Sequence, residues 1–424
     1  MVAEKKLVRK LDLHIFPCVC MMYLLNHLDR SSIANARVGG MAEDLNLSSS
    51  DYSILVLIFS VGYVIAEIPS NMILTRVRPS IFLPSIMIIW GTTVVLFSLV
   101  QNKQSLFILR FFLGLAESGF SPGATFLLSS WYKKRELTKR FAFFFCSAVI
   151  GSAFGGLLAG FILEGLDGTR GISGWRWLFI IEGLITICIG VIVLFFLPDW
   201  PSTTTWLNSE EKKLASARLL PSISSFSSSR RNVNGNIIKD YKVYLFFLMI
   251  TSSHSISYFI PTITSSLGYK GNSAQFMSIP PYLIAIFCLL SVSFSSDILD
   301  EKPLHYSVPM LLSGIINIIC IFVTNIKSRY VLVCFGYGIN FGAFPVTLAW
   351  LSASFDQTPE RNSIAQALMN SVAYCAFFYG SYLWPLKDEP KFLTGFAFSS
   401  GFCILGSIAS VLLHFVLKKE KKTD

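Results

Sequence analysis

The hydrophobic positions of the chain gather into long, mostly apolar stretches separated by short polar segments. A stretch of about 17–25 apolar residues is long enough to cross a bilayer as a helix. Twelve such stretches are centred near residues 22, 63, 91, 117, 151, 186, 253, 286, 315, 340, 374 and 405. Six lie on each side of a polar segment at 199–242, which contains a Ser cluster at 222–229. This pattern predicts two groups of six transmembrane helices joined by a linker.

Composition supports the same interpretation. Of the 424 residues, 53% are hydrophobic and only 14% are charged, whereas an ordinary soluble protein has about 25% charged residues. Such a composition excludes a disordered chain and argues against a soluble enzyme. Each span must satisfy its backbone hydrogen bonds internally, which favours helices. The predicted fold is an all-α membrane protein with twelve transmembrane helices: an N-terminal six-helix bundle at 1–198, a cytoplasmic linker at 199–242 and a C-terminal six-helix bundle at 243–424.

The net charge of +10 is explained by the membrane. Short Lys/Arg runs flank the hydrophobic stretches, as at 5–10, 133–140 and 418–419, and cytoplasmic loops carry such an excess. We therefore expect cytoplasmic N- and C-termini and a lipid bilayer, but no nucleic acid, as a partner. The first apolar stretch lacks a signal-peptide cleavage site and is expected to remain as the first span. The nine Cys fall in apolar stretches without a CxxC pair, so we expect no metal or other cofactor.

Ionisable residues inside the predicted spans are the candidates for function. A charge at the centre of a membrane costs at least about 2.5–3.5 kcal/mol, so such residues face a cavity or a partner. They are concentrated in the N-terminal half: Asp29, Arg30, Glu67, Arg110, Glu117, Arg176 and Glu182. Asp29 and Arg30 are adjacent in sequence and must point in different directions. At most one of these two is therefore expected to face a ligand.

Arg110 and Glu117 form the most informative pair. At 100° per residue, a spacing of seven brings both onto one helical face, two turns apart. They are too far apart for a direct ion pair but can line one cavity wall. An Arg guanidinium suits a carboxylate ligand, and a carboxyl group in a low-dielectric site can exchange a proton near neutral pH. The alternative interpretation is an interhelical ion-pair network, which we favour for Glu67, Arg176 and Glu182.

Two glycine pairs in the fifth span predict close helix contacts. Gly151 with Gly155, and Gly156 with Gly160, each have the small-xxx-small spacing that lets helix backbones approach. We interpret both pairs as packing features.

The residues of the first half resemble the anion:cation symporter family of the major facilitator superfamily, in particular its fungal allantoate permease branch. The resemblance rests on Leu28-Asp29-Arg30, Asn35-Ala36, Tyr63, Glu67-Ile68-Pro69-Ser70-Asn71, Arg78-Pro79-Ser80, Trp90-Gly91, Arg110-Phe111-Phe112-Leu113-Gly114, Glu117, Pro122-Gly123, Trp131-Tyr132, Phe154-Gly155-Gly156-Leu157-Leu158-Ala159, Gly174-Trp175-Arg176-Trp177 and Glu182-Gly183. In the second half it thins to Pro261-Thr262-Ile263, Gly268-Tyr269, Pro280-Pro281-Tyr282, Ser296-Asp297, Ala349-Trp350 and Arg361.

The resemblance implies the major facilitator fold and alternating access, with a substrate path between the halves. Similar proteins take up small organic anions with protons, including allantoate, nicotinate, pantothenate and related vitamins or nitrogen compounds. The likeness also implies a plasma-membrane location, with an internal membrane as the alternative, and we expect a monomer. Two stretches depart from the family pattern: the loop after Asp297 has only Lys302 as a basic residue, and 352–357 replaces an Asn/Gly-containing stretch.

The combined hypothesis is a secondary active transporter for a small carboxylate. We assign substrate binding to Arg110, Arg30 and Asn340, and proton coupling to Glu117, Asp29 and Glu67. A non-transporting nutrient sensor on the same scaffold is the alternative. An enzyme is not expected, because the sequence has no HExxH, GxSxG or phosphate-binding Gly-rich loop.

Overall fold

The computed structural model describes residues 2–133, 136–201, 203–228, 240–254, 277, 279–355, 359–383 and 392–423. These residues are mostly helical, with no strand among them. The motifs Pro261-Thr262-Ile263 and Gly268-Tyr269 lie outside the described residues.

Most of the helices follow the predicted apolar stretches, and one helix of 20 residues lies within the predicted polar linker. In the first half they are α1 (Val2–Ala36), α2 (Ala42–Asp44), α3 (Ser49–Leu74), α4 (Pro79–Phe97), α5 (Lys103–Glu117), α6 (Phe120–Trp131), α7 (Leu137–Leu166) and α8 (Gly174–Phe196), with a π-helical turn at Arg37–Met41 and a 3-10 turn at Thr169–Gly171. They continue as α9 (Ser209–Ser228), α10 (Tyr241–His254), α11 (Ile279–Leu299), α12 (Pro303–Phe322), α13 (Ile326–Gly342), α14 (Phe344–Ser354), α15 (Pro359–Leu383) and α16 (Leu393–Thr423).

Nine stretches within the described ranges are long and apolar enough to cross a membrane. Three predicted spans depart from this pattern. The fourth is divided into α5 and α6 at Ser118 and Gly119, and α10 ends at the boundary of the described residues. The eleventh, α15, carries the polar residues Asn362, Ser363, Gln366, Asn370 and Ser371, several of which bind polar atoms of other helices.

The chain divides into two compact units. The first contains 1–133, 143–229 and 357–371, and the second contains 134–142, 230–356 and 372–424. The predicted domain boundaries at 198 and 242 stay a prediction.

Glycines set the helix contacts of the first unit. A Cβ on Gly151 of α7 would lie 2.3 Å from the Leu24 carbonyl oxygen of α1, and one on Gly155 would lie 2.6 Å from Ser31 Oγ. This confirms the close contact predicted for the first glycine pair. The prediction was wrong for Gly156 and Gly160, because no atom of the described residues lies within 4 Å of such a Cβ. The two pairs lie on different faces of α7, and only one of those faces meets α1.

The α3–α5 contact positions the functional site. A Cβ on Gly114 of α5 would lie 2.2 Å from the Phe59 carbonyl oxygen of α3. Because this separation is far below a normal atomic contact, only glycine lets the two backbones come this close. The contact brings the Phe59 and Tyr63 side chains beside the polar face of α5.

The second unit has an apolar core and a polar loop contact. Its core cluster contains Ala285, Val333, Tyr337 and Phe396, with Tyr282 packed against it. In its short segment 134–142, the Lys139 backbone N–H donates to Asp297 at 3.0 Å. The Lys302 ammonium donates to Thr138 Oγ1 at 3.0 Å and lies 3.9 Å from Asp297. Burial lowers the pKa of Lys302, while nearby carboxylates act in the opposite direction.

Candidate functional site

One face of α5 carries the central charged pair. The residues Leu106, Arg110, Leu113, Gly114 and Glu117 are all buried and recur at helical spacing. Arg110 is 5% exposed and Glu117 is 0% exposed. The two side chains therefore share a face, as the sequence predicts, and no ion pair joins them.

Two residues of α1 bind the carboxylate of Glu117. Its Oε2 accepts from Arg30 Nε at 2.6 Å and from Asn26 Nδ2 at 2.9 Å. Asn26 and Arg30 are one helical turn apart, so both reach the same carboxylate. Glu117 Oε1 has no hydrogen-bond donor among the described residues. Glu117 therefore takes part in an interhelical ion pair, as the alternative interpretation expects, and its partner is Arg30 of α1.

Arg110 is a buried cation whose guanidinium has no hydrogen bond or ion pair within the part of the chain that the structure describes. Its guanidinium carbon lies 4.6 Å from the centre of the Phe59 ring. Arg30 lies 5.3 Å from the same ring and 4.9 Å from the Tyr63 ring. Phe59 thus contacts both cations. Cation–π contacts compensate only part of the lost hydration of an Arg, which leaves Arg110 able to bind an anion.

The charges at this site do not balance. Arg30 and Arg110 carry two positive charges, and ionised Glu117 supplies one negative charge. A proton on Glu117 would remove that negative charge and weaken its bond to Arg30. A proton on Glu117 would therefore increase the positive charge of these three groups, beside which Glu67 acts on Arg30.

Asp29 faces away from this cluster. Its Oδ2 accepts from Trp90 Nε1 at 3.1 Å and from Thr186 Oγ1 at 2.9 Å. Asp29 therefore packs against α4 and α8, while Arg30 packs against α5. This confirms that the two adjacent side chains point in different directions.

Glu67 lies one turn after Tyr63 on α3 and is bound by neutral donors from α15. Asn370 Nδ2 donates to its Oε1 at 2.5 Å, and Ser371 Oγ donates to its Oε2 at 2.6 Å. Asn370 also donates to the Tyr63 hydroxyl at 3.1 Å. All of these residues belong to the first unit. They connect Glu67 to Tyr63 and so to the ring that packs against Arg30.

The prediction of an interhelical ion-pair network was wrong for Glu67, Glu182 and Arg176. Glu67 is bound by an amide and a hydroxyl, Glu182 accepts from the Ser32 hydroxyl, and Arg176 donates to the Ser98 carbonyl. Among the described residues, none of the three forms a direct ion pair, although Arg30 acts on Glu67, and Arg176 on Asp44, at longer range. Hydroxyl, amide and carbonyl groups of neighbouring helices replace the expected counter-charges.

Asn340 lies in the second unit. Its Nδ2 lies 3.3 Å from Cys403 Sγ of α16 and 3.8 Å from Met310 Sδ of α12, and the residue is 1% exposed. These contacts join three helices of that unit. Its assignment to substrate binding stays a prediction.

The sequence analysis assigned no role at the site to four of its residues. They are Asn26, Phe59, Asn370 and Ser371. Asn26 could have been predicted from the sequence, because it lies one helical turn before Arg30 and so on the same helix face. The spacing of Asn362, Ser363, Gln366, Asn370 and Ser371 also indicates a polar helix face, but Phe59 is indistinguishable in sequence from a lipid-facing residue.

Comparison with known proteins identifies the family. A sequence profile of the Major Facilitator Superfamily matches residues 19–381. The chain belongs to the major facilitator superfamily. Its similarity to curated superfamily members extends over nearly its whole length. It is 33% identical to the MFS-type transporter cnsO of Penicillium expansum over 440 residues, covering 99% of this chain and 85% of that protein. It is 28% identical to the pantothenate transporter liz1 of Schizosaccharomyces pombe, covering 99% and 84%.

Solved structures of the superfamily share the fold. The proton:xylose symporter XylE bound to 6-bromo-6-deoxy-D-glucose has a TM-score of 0.68 at 15% identity, over 95% of each chain. A bacterial homologue of the human lysosomal transporter Spinster has a TM-score of 0.59 at 14% identity, over 94% of each chain. The major facilitator fold is therefore confirmed, and the chain is a multi-pass membrane transporter. The allantoate permease branch stays a prediction.

Proposed function

We propose that this chain takes up a small organic carboxylate together with protons, by alternating access. The observation that carries the proposal is the buried Arg110 guanidinium, which has no hydrogen-bond partner among the described residues. A planar guanidinium can bind both oxygens of a carboxylate at once. Arg30 supplies a second positive charge beside the Phe59 ring they share.

Glu117 couples the anion to a proton in this mechanism. When Glu117 is ionised, it holds Arg30 at 2.6 Å. When a proton binds to Glu117, the ion pair is lost and Arg30 becomes available to the anion. The proton and the anion therefore favour each other's binding, which is the thermodynamic requirement for symport. Asp29 and Glu67 are the further proton-coupling candidates.

The driving force depends on the number of protons. One proton per monoanion makes the cycle electroneutral, so that only the substrate and pH gradients act, with each pH unit worth about 1.4 kcal/mol. A second proton would add the membrane potential, which is worth about 2.3 kcal/mol per 100 mV.

Three observations support this substrate class. The Arg30–Arg110–Glu117 cluster has an excess positive charge, its cations are desolvated, and one relative bears the name of a pantothenate transporter. The similarity to transporters gives no support to the sensor alternative. The proposal includes a monomer in the plasma membrane, with both termini cytoplasmic.

A transport screen tests the proposal. The purified full chain is placed in lipid vesicles with an acidic exterior, and the uptake of labelled pantothenate, allantoate, nicotinate and neutral xylose is measured. We expect one of the carboxylates to accumulate, and a protonophore to abolish the accumulation. Accumulation of xylose without any of the carboxylates would overturn the proposal.

A further inference from the structure

Three aromatic rings of α3 each pack against an Arg side chain. The rings belong to Tyr52, Phe59 and Tyr63, whose spacings of seven and four residues place them on one helical face. The last two contact the arginines of the candidate site. The first ring, Tyr52, contacts a different cation, because the guanidinium carbon of Arg37 lies 4.2 Å from its centre. The row of contacts therefore continues beyond the site, toward the start of α3.

The backbone after α1 holds Arg37 in this position. Arg30 and Arg37 are seven residues apart, about 10 Å along a helix, and both contact rings of α3. Arg37 begins the π-helical turn Arg37–Met41. A Cβ on Gly39 in this turn would lie 2.5 Å from Leu163 Cδ2 of α7. The turn is thus packed closely on α7, which fixes Arg37 beside α3.

The guanidinium of Arg37 keeps its hydrogen-bond donors free for a ligand. It forms no hydrogen bond or ion pair in the described part of the chain. Asp51, which precedes Tyr52 in sequence, pairs instead with Lys103 at 3.4 Å. A ring contact replaces only part of the hydration of an Arg. Arg37 can therefore bind an anion with its planar donor group.

Arg37 and Tyr52 are more accessible than Arg110. Both are half-buried, whereas Arg110 is 5% exposed. They also lie at helix ends, Arg37 directly after α1 and Tyr52 about 5 Å along the axis from the start of α3, where an exposed charge meets water rather than hydrocarbon. The Tyr52 hydroxyl is within electrostatic range of both Arg37 and Arg110. Tyr52 therefore connects an accessible cation with a buried one.

We propose that Arg37 and Tyr52 form a second anion site, at which a small carboxylate binds before it moves on to Arg110. Arg37 supplies the positive charge, and the Tyr52 hydroxyl donates a hydrogen bond to the carboxylate. The site selects its ligand by charge, so any small monocarboxylate is a suitable probe. The inference rests on the proposed uptake of carboxylates and adds the position at which the anion is first bound.

Protection from an arginine reagent tests this site without transport. Phenylglyoxal reacts with accessible guanidinium groups, and an anion bound to the guanidinium blocks the reaction. The purified full chain in phosphatidylcholine nanodiscs is treated with phenylglyoxal, and modification of Arg37 is quantified by mass spectrometry. Nicotinate and its neutral amide, nicotinamide, are compared as protecting agents at equal ionic strength. Arg170, an exposed residue of the turn Thr169–Gly171, is the matched control in the same sample.

We expect both arginines to be modified, and nicotinate to protect Arg37 at a concentration about tenfold lower than nicotinamide, because charge-assisted hydrogen bonds are stronger than neutral ones. Neither compound should protect Arg170. Protection of Arg37 should persist in Arg110→Gln, since the two sites are separate. It should weaken in Tyr52→Phe, which keeps the ring but loses the hydroxyl group.

Uptake kinetics test the place of the site in the transport cycle. With the carboxylate found in the screen, Arg37→Gln should raise KM about tenfold through lost attraction of the anion. Its kcat should stay near the wild-type value, because the anion still reaches Arg110. High salt should reduce the difference in KM, since screening weakens the attraction in the wild type. Arg37→Lys should restore most of the affinity, and Arg170→Gln should behave as the wild type.

Four results would overturn the proposal. They are an Arg37 that phenylglyoxal does not modify, equal protection by nicotinate and nicotinamide, unchanged protection in Tyr52→Phe, and an Arg37→Gln protein that loses kcat while its KM is unchanged. The protection assay involves no transport. Selective protection of Arg37 in a chain that carries no carboxylate would therefore contradict the uptake proposal but not the anion site.

Discussion

Glu117 forms its ion pair with Arg30 of α1, at 2.6 Å, rather than with Arg110 on its own helix. This pairing neutralises Arg30 and leaves Arg110 without a hydrogen-bond partner among the described residues. A single proton on Glu117 would therefore change the environment of Arg30 while Arg110 stays charged. The coupling of proton and anion that we propose depends on this asymmetry.

Replacing Glu117 by Gln should remove the pH dependence of uptake. The amide keeps the shape of the side chain but cannot take up a proton. We expect exchange of substrate across the membrane to continue, while a pH gradient no longer drives accumulation in vesicles. Glu43→Gln, at an exposed carboxyl group of α2, is the matched control and should keep the pH dependence. A Glu117→Gln protein that still accumulates substrate in response to pH would exclude Glu117 as the coupling group.

Phe59 should stabilise the two cations through its ring. In Phe59→Leu the apolar volume is largely kept, but the contacts to Arg30 and Arg110 lose their cation–π component, worth about 0.5–2 kcal/mol each. Phe97→Leu is the control, because Phe97 is buried against the Phe179 ring at 5.2 Å. Thermal unfolding in detergent should show the larger loss for Phe59→Leu. Equal losses would mean that the ring acts only by filling space.

Two glycines of α7 should differ sharply when replaced by alanine. In Gly151→Ala the new methyl group would lie 2.3 Å from the Leu24 carbonyl oxygen, so α1 must shift at a cost of about 1–3 kcal/mol. In Gly156→Ala the methyl group meets no atom within 4 Å in the described part of the chain, and alanine is the better helix former by about 1 kcal/mol. Unfolding temperatures of the two variants measure the contrast. Similar effects at both positions would contradict the α1–α7 contact.

Asp44 should contribute stability at neutral pH that is lost in acid. It accepts from Trp175 Nε1 at 2.7 Å and from Ser173 Oγ at 2.8 Å. These hydrogen bonds lower the pKa of Asp44 below its ordinary value. Because the folded-state pKa is the lower one, the stabilisation is fully present above the unfolded-state pKa and disappears as pH falls through the folded-state pKa.

The Asp44→Asn variant should therefore be less stable than the wild type at pH 7. The difference should vanish in strongly acidic solution, where the wild-type carboxyl group is also uncharged. Denaturation followed over a pH series gives the comparison. A stability difference that does not change with pH would show that charge plays no part in this contact.

Helical periodicity predicted part of the site. Seven residues bring two side chains back to nearly the same direction, so the common face of Arg110 and Glu117 followed from spacing alone. Direction along one helix is a local property. The same argument correctly separated Asp29 from Arg30.

The partners of these groups could not be predicted, because they come from other helices. Arg110 on the same helix and Arg30 on α1 were both possible partners of Glu117, and only the three-dimensional arrangement of the helices places Arg30 at its carboxylate. Likewise, Gly151 and Gly156 have equivalent spacing, but only the face with Gly151 meets α1. Asn370 and Ser371 bind Glu67 although roughly 300 residues separate them in sequence.

The most direct test of the account is uptake as a function of external pH, measured with the carboxylate found in the screen, for the wild type and Arg110→Ala. Arg329→Lys is the control, since Arg329 is a buried Arg packed on Phe396 in the second unit. We predict that wild-type and control uptake rise as the external pH falls. Arg110→Ala should be folded and inserted in the membrane but inactive. Uptake that ignores pH and survives Arg110→Ala would contradict the proposed roles of Arg110 and Glu117.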